Sequence, residues 1–293
     1  MRKSRQYEDV KRSAGAPGIV IVILLGVAIY FFVAGSTGKW IGENVVTPVF
    51  SFFEETQTGS EDKSDNQIVP NADMPADITS DESAITQDIK TAEVVIYALQ
   101  TGAFSDEANA RRAANLLKNQ GGAGYVIEDG EFNRVLISYY LSKDQAVSVM
   151  SRLDEERNVK VREYLVEIKP VNIEIVAKKD TIETIKTGFD FIPMALEKIQ
   201  ALSFSFDAGN TQECETIYND LTINLGYIIE SLQSKTNGTT NDVVIKQIEL
   251  LKTYNNLIAD IDLAGDERVA ISSKIKYTGI EMIYGYKQLI DSY

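Results

Sequence analysis

The chain contains no histidine among its 293 residues and a single cysteine, Cys214. The absence of histidine excludes Ser-His and Cys-His nucleophilic pairs, histidine general bases and histidine-ligated zinc. One cysteine can form neither an intramolecular disulfide nor a cysteine cluster, and a lone cysteine in an apolar helical pattern is typical of a small core residue. Catalysis by aspartate or glutamate remains possible on composition alone, but the sequence shows no pair of acidic residues at an identifiable site. We therefore expect a protein that is not an enzyme and uses no cofactor and no metal.

Basic residues are also scarce, because 29 lysines and arginines stand against 43 aspartates and glutamates and give a net charge of −14. Binding to a phosphate backbone needs a basic face, so this balance argues against a nucleic-acid partner. The apolar fraction of 44% is ordinary for packed cores, and the length allows one to three domains.

None of the 26 residues from Ser13 to Gly38 carries a formal charge, and the centre of this stretch, residues 19–34, is almost wholly apolar. This reaches the roughly 20 residues that a helix needs to cross a bilayer. Basic residues precede the stretch and an acidic chain follows it. The positive-inside rule therefore predicts a cytoplasmic tail (1–17), a transmembrane helix (18–38) and extracytoplasmic C-terminal domains. A cleaved signal peptide, with its cleavage site at residues 34–36, is the alternative.

Residues 39–91 have the composition of a linker. From Glu54 to Glu93 the chain holds eleven acidic residues against two lysines, together with two prolines and many Ser, Thr and Asn. Such a segment is too polar and too charged to bury a core of its own. We predict a flexible, extracytoplasmic acidic linker that lets the following domains search a layer outside the membrane.

Strand and helix patterns alternate between residues 92 and 170. Alternating apolar positions predict four strands, at residues 94–101, 123–128, 132–138 and 159–168, and helical spacing predicts one helix after the first strand and one after the third. With right-handed crossovers, the order β-α-β-β-α-β folds into a ferredoxin-like α+β domain. It has a four-stranded antiparallel sheet, both helices on one face and the other face open. The first and third strands are central neighbours.

Parity along the strands places Gln100, Phe132 and Arg134 together on the open face. An amide, a guanidinium and an aromatic ring are what sugar recognition needs, and neither strand offers a nucleophile with a base beside it. Solvated sheet positions without a ligand are the alternative. RNA-recognition modules share this topology, but they need paired aromatics in a basic setting, and Phe132 has no aromatic partner on the first strand.

The middle segment resembles the SPOR domain, the peptidoglycan-binding module of bacterial cell-envelope and division proteins. The resemblance rests on the block from Gln100 to Phe104 (QTGAF), on an alanine-rich first helix that closes at Gly121-Gly122, and on the Arg134-Val135 pair. It covers about a quarter of the chain. The resemblance implies that the sheet face binds glycan strands stripped of their stem peptides, and by position it implies contacts from Gln100, Ala103, Phe132, Arg134 and Val161.

The chemistry of these side chains agrees with that implication. Phe132 can stack on the apolar face of a pyranose, and Gln100 can both donate to and accept from hydroxyl or acetamide groups. Removing the stem peptide from muramic acid frees a lactyl carboxylate, for which Arg134 is a natural bidentate partner. One departure from the family pattern is that residues 138–140 (SYY) occupy the turn where the family usually has Gly-Pro-Phe, so we expect the loop into the second helix to differ.

Residues 171–293 carry four amphipathic stripes separated by turn signals at residues 207–209, 237–238 and 264–265. This pattern predicts an antiparallel four-helix bundle. Pro193 lies inside the first stripe and predicts a kink or a break there. The bundle resembles no family by these residues, and we expect it to serve a protein partner or a scaffold.

These features together predict a non-enzymatic protein of the bacterial cell membrane that crosses it once and has a cytoplasmic N-terminus. Its SPOR-like domain (92–170) would bind peptidoglycan glycan strands in cell division or sporulation, and a four-helix bundle (171–293) would follow. The alternative is a membrane-anchored scaffold that acts through protein contacts of the bundle, without glycan binding. A carboxylate-based wall hydrolase is a third class that no paired acids support.

Overall fold

The computed structural model describes residues 84–157 and 159–293, which belong to one compact unit. The predicted cytoplasmic tail, the transmembrane helix and most of the linker lie outside the described residues. Within them, none of the helices is both long and apolar enough to cross a membrane. The strands are β1 (Ile85–Lys90), β2 (Val94–Phe104), β3 (Tyr125–Asp129), β4 (Phe132–Tyr140), β5 (Arg162–Ile168) and β6 (Asn172–Ala177). The helices are α1 (Glu107–Lys118), α2 (Lys143–Arg157), α3 (Lys179–Ala208), α4 (Thr211–Lys235), α5 (Asp242–Ala259) and α6 (Arg268–Asp291).

Four strands form an antiparallel sheet in the order β3-β4-β2-β5. This confirms the predicted strand order, with the first and third predicted strands, β2 and β4, at the centre. Helix α1 packs Ala110, Ala114 and Leu117 near Val135 of β4. Helix α2 packs on the same face, where Ala146 lies in a cluster with Leu99 of β2. Both helices therefore cover one face, as predicted, because the alternate residues of each strand present an apolar surface to them.

Four consecutive helices, α3 to α6, follow the sheet, as the amphipathic stripes predicted. Their inward residues share one buried cluster, which includes Leu196, Leu225, Leu251 and Ile283. Pro193 does not break α3, which continues through it for 30 residues. Proline only removes one backbone donor and crowds the preceding turn, and the buried residues on both sides of Pro193 hold the two halves in register against the same core.

The second face of the sheet is not open, and the prediction of an open face is wrong for most of its area. Ile96 and Ala98 of β2 and Val166 of β5 are buried in the same cluster as the inward residues of α3 and α6. The sheet and the bundle therefore share one hydrophobic core. The physical reason is that this face is itself apolar along most of β2 and β5, and burying apolar surface stabilises the fold.

Tyr139 is the clearest contact between the sheet and the bundle. The residues 138–140 that we predicted in a turn belong to β4, and the Tyr139 hydroxyl donates to the backbone oxygen of Leu196 at 3.5 Å. Gln200 Nε2 donates back to the Tyr139 backbone oxygen at 3.3 Å. The Tyr139 ring lies against Gly279 of α6, where the missing side chain leaves room for it. The departure from the family pattern therefore coincides with the bundle contact.

A separate two-stranded ribbon joins both ends of the sheet domain. Strand β1 pairs antiparallel with β6, and the Thr91 backbone N–H donates to the Val171 oxygen at 3.0 Å beside it. The structure here differs from the predicted linker, which included residues 85–90, and from the predicted all-helical segment after residue 171. The buried isoleucines of the ribbon explain the difference, because Ile89, Ile173 and Ile175 belong to the shared core.

Candidate functional site

A polar network lies at the end of the sheet that the bundle leaves partly accessible, and Arg134 of β4 is its centre. Arg134 Nη1 donates to Gln100 Oε1 at 3.0 Å, and Arg134 Nε donates to Asp129 Oδ2 at 2.5 Å. The guanidinium carbon lies 5.2 Å from the centre of the Tyr164 ring, which is a cation–π distance. The structure thus brings Gln100 and Arg134 together, and it adds Asp129 and Tyr164, which the sequence patterns did not identify as site residues.

The strand register explains why these side chains meet. Gln100 lies opposite Leu136 of β4 and opposite Arg162 of β5, while Ala103 lies opposite Arg134. The pairing of β2 with β4 shifts on both sides of Gln100. Such irregularities bend a strand and change where its side chains point. Here the shift places the Gln100 amide within reach of the guanidinium of Arg134.

The charge of Arg134 is already matched inside the protein. Asp129 carries the opposite charge at hydrogen-bond distance, and the Arg134 side chain is only 26% exposed. Of the five N–H donors of arginine, two have these acceptors, which leaves three for a ligand. Burial, and after it the charge of Asp129, raises the pKa of the Tyr164 hydroxyl. The network therefore offers neutral hydrogen-bonding groups more than a free positive charge.

Phe132 is the accessible aromatic group of this region. It begins β4 directly after the hairpin turn and lies opposite Asp129. Its side chain is 44% exposed. Ala103 is also exposed, which leaves open surface on β2 opposite Arg134. By contrast, Gln100 is 9% exposed, so a ligand reaches its amide only at the edge of the network.

Val161 does not lie with Arg134. It is buried on the helix-facing side, in the cluster of Leu99, Tyr140 and Ala146. It does line a cleft of about 700 Å³ together with Gln100 and Ala103, where β5 begins beside α2. The predicted residues therefore form two overlapping groups, one on the sheet surface and one along this cleft. Parity along β5 could have identified Arg162, rather than Val161, as the residue on the face of Gln100.

Helix α6 of the bundle forms one wall of the network. The Tyr284 ring stacks on Tyr125 of β3, with centroids 5.6 Å apart and 15° between the ring planes. Burial raises the pKa of the Tyr284 hydroxyl, and the nearby Tyr164 and Asp129 raise it further. The hydroxyl oxygen is buried and has no hydrogen-bond partner among the described residues. The bundle thus limits access to Arg134 from the direction of β3.

Comparison with known protein families gives a match for part of the chain. Residues 95–160 match the family model of the SPOR domain. This segment extends from β2 to the residue before Val161, and it includes Gln100, Phe132 and Arg134. The chain matches no curated protein and no solved structure. Residues 95–160 are therefore a SPOR domain, a family known for peptidoglycan binding.

Proposed function

We propose that this SPOR domain binds peptidoglycan glycan strands at the end of its sheet. The observation that carries the proposal is that the family match includes an exposed aromatic ring, Phe132, two residues along β4 from Arg134, whose guanidinium is hydrogen-bonded to the Gln100 amide. The ring is placed to stack on a sugar, and the network offers both donors and acceptors to hydroxyl and acetamide groups. The small side chain of Ala103, opposite Arg134, leaves room there for a sugar ring.

The bundle sets the extent of the proposed site. Helices α3 and α6 cover the sheet along Ile96, Ala98 and Val166, so a glycan strand does not cross the full sheet face. The accessible surface is the end that holds Phe132 and Ala103, continuing into the cleft lined by Val161. We propose that this end takes glycan from which the stem peptides have been removed, because an unbranched strand fits a site with a wall on one side.

The cellular setting is part of the same proposal. We propose that the apolar segment 18–38 anchors the protein in the cell membrane with its N-terminus in the cytoplasm, and that the acidic linker carries the SPOR domain toward the wall. A protein of this kind would act in cell division or sporulation, without enzymatic activity. The charge asymmetry around residues 18–38 and the length of the linker support this arrangement.

A second candidate function is a membrane-anchored scaffold that works through the bundle. It is favoured by the outer surface of α4, where Ile223 is 66% exposed and Tyr227, one turn later, is 54% exposed. Neighbouring exposed apolar side chains of this size are typical of protein contacts. In that case deletion of the bundle would remove a defined partner, and glycan affinity would be weak.

Co-sedimentation of the full chain with purified sacculi, before and after amidase removal of the stem peptides, tests the proposal. We expect binding to rise on stripped sacculi and to fall roughly tenfold in Phe132→Ala, which corresponds to about 1.4 kcal/mol of lost contact. Leu116→Ala is the control, because Leu116 is an apolar residue on α1 that is even more exposed than Phe132 (65% against 44%) and lies away from the site. Equal binding by the two variants, or no binding to either material, would refute the proposal.

A further inference from the structure

Two arginines flank Gln100 across the sheet, and they differ in how their charge is used. Arg134 lies on β4 and Arg162 lies on β5, directly opposite Gln100 in the strand register. Residues opposite one another in an antiparallel pair project from the same face. Arg162 therefore projects from the same face as Gln100, on the side of β2 that is away from Arg134.

The charge of Arg134 is not available for a new anion without competition. Its Nε–H is held by Asp129 at 2.5 Å, and its side chain is three-quarters covered. A ligand carboxylate at this point would approach a pair with no net charge and would meet the like charge of Asp129. A hydrogen bond from a charged donor is stronger than one from a neutral donor. This advantage shrinks when a nearby opposite charge already neutralises the donor.

Arg162 is in the opposite situation. Its side chain is exposed, and within the described part of the chain it has no ion pair or side-chain hydrogen bond. It lines the cleft of about 700 Å³ together with Lys160, and among the described residues of that lining Asp154 is the one carboxylate. The described lining thus carries two positive charges against one negative charge. The volume falls in the range of clefts that hold small ligands.

We infer that Arg162, assisted by Lys160, binds the lactyl carboxylate of a muramic acid residue that has lost its stem peptide, while Arg134 serves as a neutralised hydrogen-bond donor to the sugar. This inference rests on the proposed function, since it assigns a role within the same glycan site. It makes the cleft at the start of β5 the part of the site that distinguishes stripped glycan from peptide-bearing glycan. A stem peptide would remove the free carboxylate and would have to occupy the same cleft.

Calorimetric titration of the full chain in detergent with soluble stripped glycan strands tests this assignment. The second probe is the same strands with their carboxylates methyl-esterified, which removes the charge and keeps the sugars. For the unchanged protein we expect the affinity to fall about tenfold on esterification. For Arg162→Gln we expect both probes to bind with the lower affinity, so that the ratio becomes about one. Arg134→Gln should bind both probes more weakly and keep the ratio.

Arg111→Gln is the control for general charge, because Arg111 is exposed on α1 and paired with Glu107 within its own helix; it should change neither affinity nor ratio. Arg162→Lys should keep most of the discrimination, since the charge remains. A ratio that persists in Arg162→Gln and disappears in Arg134→Gln would overturn the inference. Equal binding of the two probes by the unchanged protein would also overturn it and leave glycan binding intact, whereas binding of neither probe would overturn the proposed function itself.

Discussion

Gly279 of α6 allows the bundle to contact the sheet, and its replacement by alanine is the most direct test of the shared core. A Cβ at this position would lie 2.6 Å from Cζ of Tyr139, well inside van der Waals contact. Both residues are buried, so neither can move into solvent. Overpacking of this kind costs about 1–3 kcal/mol, while the change from glycine to alanine inside a helix returns about 0.5–1 kcal/mol. We expect Gly279→Ala to lower the free energy of unfolding by about 1–2 kcal/mol.

Urea unfolding of residues 78–293, followed by circular dichroism, measures this change, and a double-mutant cycle assigns its cause. Tyr139→Ala alone should be destabilising by about 3–5 kcal/mol, as for other large aromatic truncations. In that background Gly279→Ala should no longer cost stability, because the ring that it would meet is gone, and the helical gain should remain. The coupling free energy between the two sites should therefore be about 1–3 kcal/mol.

Gly226→Ala in α4 is the matched control, because it makes the same helical substitution at a position with no atom within 4 Å of the new methyl group. It should stabilise the protein by about 0.5–1 kcal/mol. If Gly279→Ala costs the same free energy with and without the Tyr139 ring, the contact between α6 and the sheet does not depend on this glycine, and the reasoning fails.

Two further predictions follow from buried side chains. Burial raises the pKa of the Tyr139 hydroxyl well above its ordinary value near 10, so the folded state keeps this proton at pH values where the unfolded state loses it. Stability should therefore be unaffected by this group below about pH 10 and should fall above it, by about 1.4 kcal/mol per pH unit for each such phenol. Urea midpoints between pH 8 and 11 measure the fall, which should be shallower in Tyr139→Phe; an identical slope in both proteins would contradict the assignment. The thiol of Cys214 is 2% exposed, and burial raises its pKa, so a thiol reagent should label it only as fast as the bundle unfolds; native-state labelling at the rate of a free cysteine would show that the bundle core is not closed there.

Much of the fold follows from local patterns. The alternation along β2, β4 and β5 predicted these strands, their right-handed crossovers predicted the order in the sheet, and the apolar stripes predicted four helices. Parity alone brought Gln100 and Arg134 to one face, where the structure joins them by a hydrogen bond. These predictions hold because side chains repeat their direction every two residues in a strand and every 3.6 residues in a helix. The spacing of apolar residues in the sequence therefore shows which face is buried.

Other features depended on contacts between distant parts of the chain. The β1–β6 ribbon pairs residues 82 to 92 positions apart in the chain, and β1 lies in a segment with the acidic composition of a linker. The buried isoleucines are the one sequence signal of the ribbon. Asp129 sits at a hairpin turn, where the sequence marks it as a turn residue, and its pairing with Arg134 depends on the register of that hairpin. The family resemblance implied Val161 as a glycan contact, but β5 begins at Arg162, three residues after the predicted start, and Val161 is buried in the cluster of Leu99 and Ala146.

By itself, the sequence determined the four strands and two helices of the sheet domain, the four helices that follow them, and the SPOR-like residues that include Gln100 and Arg134. Only the tertiary structure decided that the bundle covers the sheet, that Asp129 neutralises Arg134, and that Arg162 stays exposed beside the cleft. The physical reason is that the hydrophobic effect is not directional. An apolar sheet face must be buried, but its sequence does not specify the partner, which depends on how Tyr139 and Gly279 fit together in three dimensions.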